Sequence, residues 1–523
     1  MPRRRPNRIL LMLLLATLAV PAHACTSGRA FEDRNGDGRR QADEPGLADV
    51  RVSDGGGIAS SDADGVFRGL RDGAGHEVFV IKPPGFRVPA GADGLPAFWK
   101  PASARDAGGC EFGLSRDAGG DGDMEVLVFS DPQVADDAQV DYYARDIVAT
   151  ARAHGDAVLG LTLGDLVDDA TALYPALNRV TATLGMPWLH APGNHDLDDD
   201  ARDDDGSLGA YRRVYGPDTY AWEERSATFV MLDNVVAQPG GRPAYVGGLR
   251  ERQFDFLRRY LAGLDRDRLL VVAAHIPWFD TALAGRPPSV RAADRERLFA
   301  LLRPFPKVLL LSGHRHTQRQ FFHDAATGWH GASPLREYNA GAASGAFWSG
   351  AKDAEGIPDA TMADGTPNGF ATLTVARDGG YRLAWHPARL ADGDPAFTGA
   401  MALHAPKVLR RGAYPAWGVY ANVFMGHDGT RVEYRIDGGD WKPMAKVPAP
   451  DPRLLAENAR DDFAEALRGR DRSPEAEPST HLWRGALDTK LAAGPHAVEV
   501  RAFDDAGDEH RARVGYRLEE WRE

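Results

Sequence analysis

Between residues 124 and 316 short apolar runs alternate with longer amphipathic stretches. The runs at 126–129, 158–163, 187–189, 228–232, 269–274 and 308–311 are built from aliphatic and β-branched side chains, the pattern of buried strands. A helix is predicted over 137–152. A second, over 249–264, carries Leu249, Phe256, Leu257, Tyr260, Leu261 and Leu264 at helical spacing, which gives it one apolar face. Strands alternating with helices predict a layered α/β core, a β-sandwich flanked by helices. In such cores ligands sit beyond the carboxyl ends of the strands.

The rhythm differs on either side of this core. Residues 28–115 hold short β runs, at 48–52 and 78–81, between Gly- and Pro-rich turns, which predicts a small all-β domain. Residues 116–123 are rich in Gly and Asp and form a linker. The stretch 334–370 is Gly-, Ala- and Trp-rich and reads as loop. After 398 short β runs return, among them 432–436 with the turn Asp437-Gly438-Gly439-Asp440-Trp441, and 494–503. They predict a terminal β-sandwich, interrupted at 450–477 by a charged, Pro-containing excursion on the surface. The expected division is a signal peptide at 1–24, an N-terminal prealbumin- or Ig-like β domain at 25–118, a catalytic domain at 123–390 and a C-terminal β-sandwich at 398–523.

Composition changes the picture only at the edges. In 523 residues the hydrophobic share of 43% and charged share of 26% are those of a globular protein. A net charge of −13 argues against a nucleic-acid backbone binder, which needs a basic face. Arg3, Arg4, Arg5 and Arg8, the apolar run 9–20 and Ala22-His23-Ala24 have the order of a secretion signal. No stretch is long enough to span a membrane, so an exported protein, periplasmic or secreted, is expected. Cys25, directly after the cleavage site, also fits lipid attachment. Against that stand Ala22, where a lipobox carries Leu, and Cys110 as an alternative partner. A Cys25–Cys110 disulfide is the expectation in an oxidising compartment.

The chemistry lies at the strand ends. They finish in Ser130-Asp131-Pro132-Gln133, Gly164-Asp165-Leu166-Val167-Asp168-Asp169, Gly193-Asn194-His195-Asp196, His275 and Gly313-His314-Arg315-His316. His275, His314 and His316 with Asp131, Asp165 and an amide are the donor set for two borderline divalent ions. Two such ions about 3.5–4 Å apart hold the attacking and leaving oxygens of an in-line phosphoryl displacement. In the N-terminal domain Asp33, Asn35, Asp37 and Glu44 match the calcium-loop pattern D-x-N-x-D-G-x5-E, with strand-like flanks where the usual loop has helices.

In this order the five strand-end motifs resemble the calcineurin-like metallophosphoesterases, over roughly 124–386. The resemblance implies two divalent transition metals (Mn, Zn or Fe) bridged by Asp165. Asp131 and His316 would complete one metal site, Asn194, His275 and His314 the other. It also implies His195 as donor to the leaving oxygen, with Asp196 orienting its imidazole. The expected activity is hydrolysis of a phosphate ester, a diester first, by attack of a metal-bound hydroxide. The alternatives are a phosphomonoesterase or nucleotidase with the same site, and a surface or adhesion protein with a vestigial metal centre. Gln133 departs from the family's Asp-x-His, and an amide oxygen is a weaker ligand than imidazole; Asp168 is the residue that could compensate. The segments 31–33, 46–52 and 61–67 resemble prealbumin-like modules of secreted bacterial proteins. Together with Asp-Pro-Gln, Trp348 and 364–370, they place the chain near a bacterial branch with calcineurin-like phosphoesterase N- and C-terminal domains. The acidic run 196–205 is expected to be a mobile, solvated surface loop, with a lid that repels polyanionic substrates as the alternative; either disfavours nucleic acid as substrate. Trp278, Phe279, Trp348 and Tyr220 are candidates for an apolar wall.

Overall fold

The structure is a computed structural model that describes residues 25–70, 76–102, 110–117, 119–120, 122–282, 285–390, 393–414 and 417–521. The secretion signal expected at 1–24 lies outside these residues. Among the described residues no helix is long and apolar enough to cross a membrane.

Two sheets form the centre. We label their strands β1 (Met124–Phe129), β2 (Leu159–Leu163), β3 (Trp188–Ala191), β4 (Tyr220–Glu223), β5 (Ala227–Leu232), β6 (Leu269–Ala274), β7 (Val308–Ser312), β8 (Arg319–His323), β9 (Leu335–Asn339), β10 (Gly369–Val375) and β11 (Tyr381–Pro387). The first sheet has the order β3-β2-β1-β10-β11 and the second β4-β5-β6-β7-β9-β8. Strands β1, β2 and β3 run parallel, as do β5, β6, β7 and β9, while β4, β8, β10 and β11 pair antiparallel. The period of two along β1 explains the layering. Val126 and Val128 join the core shared with Phe229, Val271 and Leu310, whereas Leu127 and Phe129 face Val140, Tyr143 and Ile147 on the outer helix layer. Both faces of β1 are therefore covered, which is why the run lacks polar alternation.

Some elements differ from the sequence expectation. The predicted 137–152 helix is α-helical at Asp137–Tyr142, widens to a π-type turn at Tyr143–Val148, and tightens at its end. The stretch 334–370 is not all loop, because β9 enters the second sheet between β7 and β8. Its Glu337 and Asn339 are fully buried. Glu337 accepts from Ser312 Oγ (2.6 Å) and pairs with His323 Nε2 (2.7 Å), so polar residues replace the apolar run that marks other core strands. The excursion at 450–477 contains a helix, Pro452–Asp462, with Asp451 accepting from Arg453 N–H at its start and Leu454 buried.

The flanking β regions are fastened to this centre. The N-terminal region has two four-stranded sheets, and the expected Cys25–Cys110 disulfide is present, with Cα atoms 5.5 Å apart. Lys82, 2% exposed, donates to Glu223 O (2.9 Å) and Glu224 Oε1 (2.7 Å). Phe79 meets Phe256 and Phe98 meets Trp222 edge-on, so one apolar core runs from the N-terminal sheets into the α/β layers. The C-terminal four- and five-stranded sheets have a core of their own around Val419, Trp483 and Val500. They are tied to the centre through Asp364, which accepts from Gln318 N–H and pairs with His481.

Candidate metal centre

All five polar motifs fall at the carboxyl ends of β1, β2, β3, β6 and β7, on one edge of the paired sheets. The backbone there is unusual. Asp131 (φ 47°), Gln133 (42°), Asp165 (48°), His314 (74°) and His316 (49°) are all left-handed, a conformation that non-glycine residues seldom adopt. Such a residue reverses the chain at once, so a side chain leaving the strand turns back over its end. The motif glycines serve close approach. A Cβ on Gly193 would lie 2.2 Å from Asp165 N, and one on Gly313 2.7 Å from Asp131 Oδ2.

The side chains converge on His275 Nε2. It lies 3.1 Å from Asp165 Oδ2, 3.1 Å from Asn194 Oδ1 and 3.2 Å from His314 Nδ1. Its Nδ1–H donates to Leu163 O (2.8 Å), which turns the Nε2 lone pair toward the cluster. Burial works against a charge on His275, yet Asp165 and then Asp131 push it up to about 9: the cluster draws positive charge to this point. Burial and the neighbouring His275 push His314 down to about 3. Beside this group His316 Nε2 stands 3.5 Å from Asp131 Oδ1, and its Nδ1–H donates to Gly345 O (2.7 Å). Asp131 is wholly buried; burial disfavours its charge, but the bond from His316 holds its carboxyl below the usual range. It also accepts from His314 N–H (3.1 Å) and from Ser130 Oγ.

Gln133 lies beside Asp165 and Asp168. Its backbone N–H donates to Asp165 O (3.0 Å) and its Nε2 reaches Asp168 Oδ1 at 3.4 Å, while its Oε1 is buried with no partner. A buried carbonyl oxygen without a donor is costly, and next to carboxylates only a cation or a water satisfies it. The donor set therefore fits a divalent metal pair.

The profile of the calcineurin-like phosphoesterase family matches residues 124–318, and that of the C terminal of calcineurin-like phosphoesterase matches 337–510. The chain thus carries a calcineurin-like phosphoesterase domain followed by the C-terminal domain of such proteins. No curated protein matches the chain. Similar solved structures include a purple acid phosphatase, PPD1, from yellow lupin seeds (12% identity, 65% of this chain and 66% of that one, TM-score 0.38). Others are GAP50, the anchor in the inner membrane complex of Plasmodium (13%, 51% and 85%, TM-score 0.34), and the phosphopantetheinyl hydrolase PptH of Mycobacterium tuberculosis (15%, 42% and 89%, TM-score 0.27). The chain thus spans just under two thirds of the lupin enzyme's length.

Asp196 does not stand where the sequence suggested. Instead of meeting His195, its fully buried carboxylate folds under the turn and accepts from Gly193 N–H (2.8 Å), Leu166 N–H (3.2 Å) and Tyr174 Oη (3.0 Å). The reason is the tight Asn194–Asp196 turn, which sends neighbouring side chains to opposite sides. His195 Nδ1 faces Asp169 Oδ1 (2.9 Å) and Asp168 Oδ1 (3.3 Å). Burial opposes its proton, but Asp165 and Asp169 raise its pKa above the ordinary histidine value. Asp168 is thus beside His195 and Gln133, and Asp169 was not anticipated, although it follows Asp168 directly.

Other expected features resolve differently. Asp33 accepts from Gly36 and Gly38 N–H (2.7 and 2.8 Å), and Glu44 from Arg34 and Gln41 N–H (2.9 and 2.8 Å). Asn35 and Gln41 donate to Asp37. The loop's carboxylates thus accept its own N–H groups, and among the described residues Asp33, Asp37 and Glu44 are in neither of the close carboxylate–histidine groups. The acidic run is tied down: Asp198 accepts from Ala210 N–H (3.0 Å), Asp204 from Ala237 N–H (2.6 Å), and Asp205 pairs with His76 (3.2 Å). Trp278 and Trp348 are fully buried, Phe279 stacks on Phe321, and Tyr220 bonds His190; they are core. The aromatic rings on the ligands are Phe347, stacked on His316 at 4.5 Å, and Tyr245, edge-on to His314 at 5.9 Å.

Proposed function

We propose that the protein is an exported phosphoesterase with a binuclear metal centre that hydrolyses phosphodiesters. The observation carrying this reading is the convergence of Asp165, Asn194 and His314 on His275 Nε2 beside the Asp131–His316 pair. Asp131 and His316 would hold one metal, Asn194, His275 and His314 the other, and Asp165 would be shared between them. Gln133 Oε1, buried without a donor, would serve as a further ligand, direct or through water. When bound, two divalent cations (Mn, Zn or Fe) supply positive charge against the phosphoryl oxygens and acidify water.

The chain's own residues do the rest. His195, held at Nδ1 by Asp168 and Asp169, keeps a proton at Nε2 for the leaving oxygen. Its N–H donates to Asp165 Oδ1 (2.8 Å), so the acid and the bridging carboxylate move as one unit. A diester is favoured over a monoester because Asp168 and Asp169, with 39% and 59% of their side chains exposed, add negative charge behind His195. A monoester dianion meets more repulsion there than a diester monoanion. The Cys25–Cys110 disulfide supports export to an oxidising compartment. Calcium at the 33–44 loop is no part of this reading, because its carboxylates already accept backbone N–H bonds.

The test separates binding from proton transfer. His195→Ala should keep metal content near wild type and lower turnover of bis(p-nitrophenyl) phosphate about 100-fold or more, whereas Asp165→Asn should lose metal. Equal metal loss in both variants would remove the division of roles. A wild-type protein that takes up less than one ion and cleaves neither mono- nor diesters would remove the enzyme.

A further inference from the structure

In the stretch 341–350 every residue is buried except Phe347, which is 55% exposed. The loop around it is bolted to the metal-side motifs. Ala343 N–H donates to Ser130 O (2.7 Å), Ser344 N–H to Asp131 O (3.1 Å) and Trp348 Nε1–H to Pro132 O (2.9 Å). Gly345 O receives His316 Nδ1–H (2.7 Å). Phe347 and Trp348 are both left-handed, at φ 56° and 53°, which aromatic L-residues rarely tolerate. Strain of this kind persists where the surroundings fix it, and it clusters at sites that must aim a side chain. Here it sends Trp348 into the core and leaves Phe347 outside. One face of the Phe347 ring lies on His316, with centroids 4.5 Å apart and planes 30° apart. Tyr245, on the ribbon strand Tyr245–Gly247, stands edge-on to His314.

A lone exposed phenylalanine is ordinarily unremarked. This one sits on a rigid, strained loop against a candidate metal ligand, and its outer face is unused. We propose that Phe347 is the stacking platform for a planar substituent of the phosphoester, an aryl or heteroaromatic leaving group, with Tyr245 as a second aromatic wall of the same subsite. The inference rests on the phosphoesterase reading. Stacking uses the ring face, so it selects flat groups over alkyl groups of similar polarity.

Phenylphosphonate and methylphosphonate test this without turnover. Calorimetry on the metal-loaded wild type should show phenylphosphonate binding about tenfold tighter than methylphosphonate. Phe347→Ala should bring the two within about twofold while leaving metal content unchanged, and Phe347→Trp should restore the preference. Phe347→Leu keeps a cover over His316 but loses the flat face, so it should behave like Phe347→Ala. If both ligands weaken together, or metal is lost in Phe347→Ala and kept in Phe347→Leu, Phe347 only shields His316 and the platform is wrong. The same samples assayed on bis(p-nitrophenyl) phosphate keep the two levels apart. An active wild type with no phenyl preference sinks this inference alone, and a metal-loaded protein that cleaves no ester sinks the phosphoesterase reading and the platform with it.

Discussion

Gln133→Leu separates the two things Gln133 does. Its Oε1 is buried without a donor, and its Nε2 has only a long 3.4 Å contact to Asp168. In the ion-free protein the orphan oxygen costs about 1–3 kcal/mol, and an apolar side chain of similar size removes that cost. Ion-free Gln133→Leu should therefore be as stable as wild type or up to about 2 kcal/mol more stable, after allowing for loss of the weak Asp168 contact. With metal the sign reverses. An ion that satisfies Oε1 recovers the same 1–3 kcal/mol, so the variant should bind one of its two ions about 5- to 150-fold more weakly. Gln133→His places an imidazole at a position whose left-handed backbone histidine tolerates, and it should bind at least as tightly as wild type. Urea unfolding after chelation gives the first quantity, and competitive titration with Mn or Zn gives the second. A Gln133→Leu protein that is less stable without ions and unchanged in affinity would show that Gln133 is held for its bond to Asp168 and is no ligand.

Three further outcomes follow from buried groups. Asp196→Ala leaves the Gly193 and Leu166 N–H groups and the Tyr174 hydroxyl without their acceptor. It should lose about 3 kcal/mol or more in thermal or urea unfolding, together with metal; a variant of normal stability but low turnover would instead return Asp196 to a catalytic part. Burial and then Asp218 push the Glu77 carboxyl up from 4.5 to about 7. An acid raised in the folded state contributes stability fully below its unfolded pKa and loses it as pH rises through the folded one. Unfolding free energy should thus fall by about 3 kcal/mol between pH 4.5 and 8 in wild type relative to Glu77→Gln, and parallel profiles refute the assignment. Reducing Cys25–Cys110 opens a loop with a sequence separation of 85 and should lower stability by about 2–4 kcal/mol; an unchanged unfolding midpoint in dithiothreitol contradicts that.

The parts of this protein legible in its sequence are those where one residue has one neighbour-independent job. Strand runs buried on both faces, such as Leu269–Ala274, and motif ligands at their ends need no knowledge of partners. The strands Arg319–His323 and Leu335–Asn339 were hidden because their interior includes His323 and Glu337, which bury only by pairing with each other. The helix Pro452–Asp462 was readable, since Asp451-Pro452 is a cap followed by a proline at the first turn, but the surrounding charge obscured it. The orienter of His195 was not readable at all. Adjacency favours Asp196, yet which side a carboxylate takes on a tight turn depends on which N–H groups lie beneath it.

The left-handed residues connect these points to function. Asp131, Gln133, Asp165, His314 and His316 each pay in backbone strain for a side chain turned back over its strand end, and hydrogen bonds from other motifs hold them there. His314 N–H is bound by Asp131, Gln133 N–H by Asp165 O, and His195 N–H by Asp165 Oδ1. Each motif thus fixes the backbone of another, so the ligands are set in the folded chain before any ion arrives. Phe347 and Trp348 extend the same device outward: their loop is held by Ser130 and Asp131, the motif that also provides a ligand. A substrate held against Phe347 would therefore be placed relative to the candidate ligands by the bonds that fix this loop to Ser130, Asp131, Pro132 and His316.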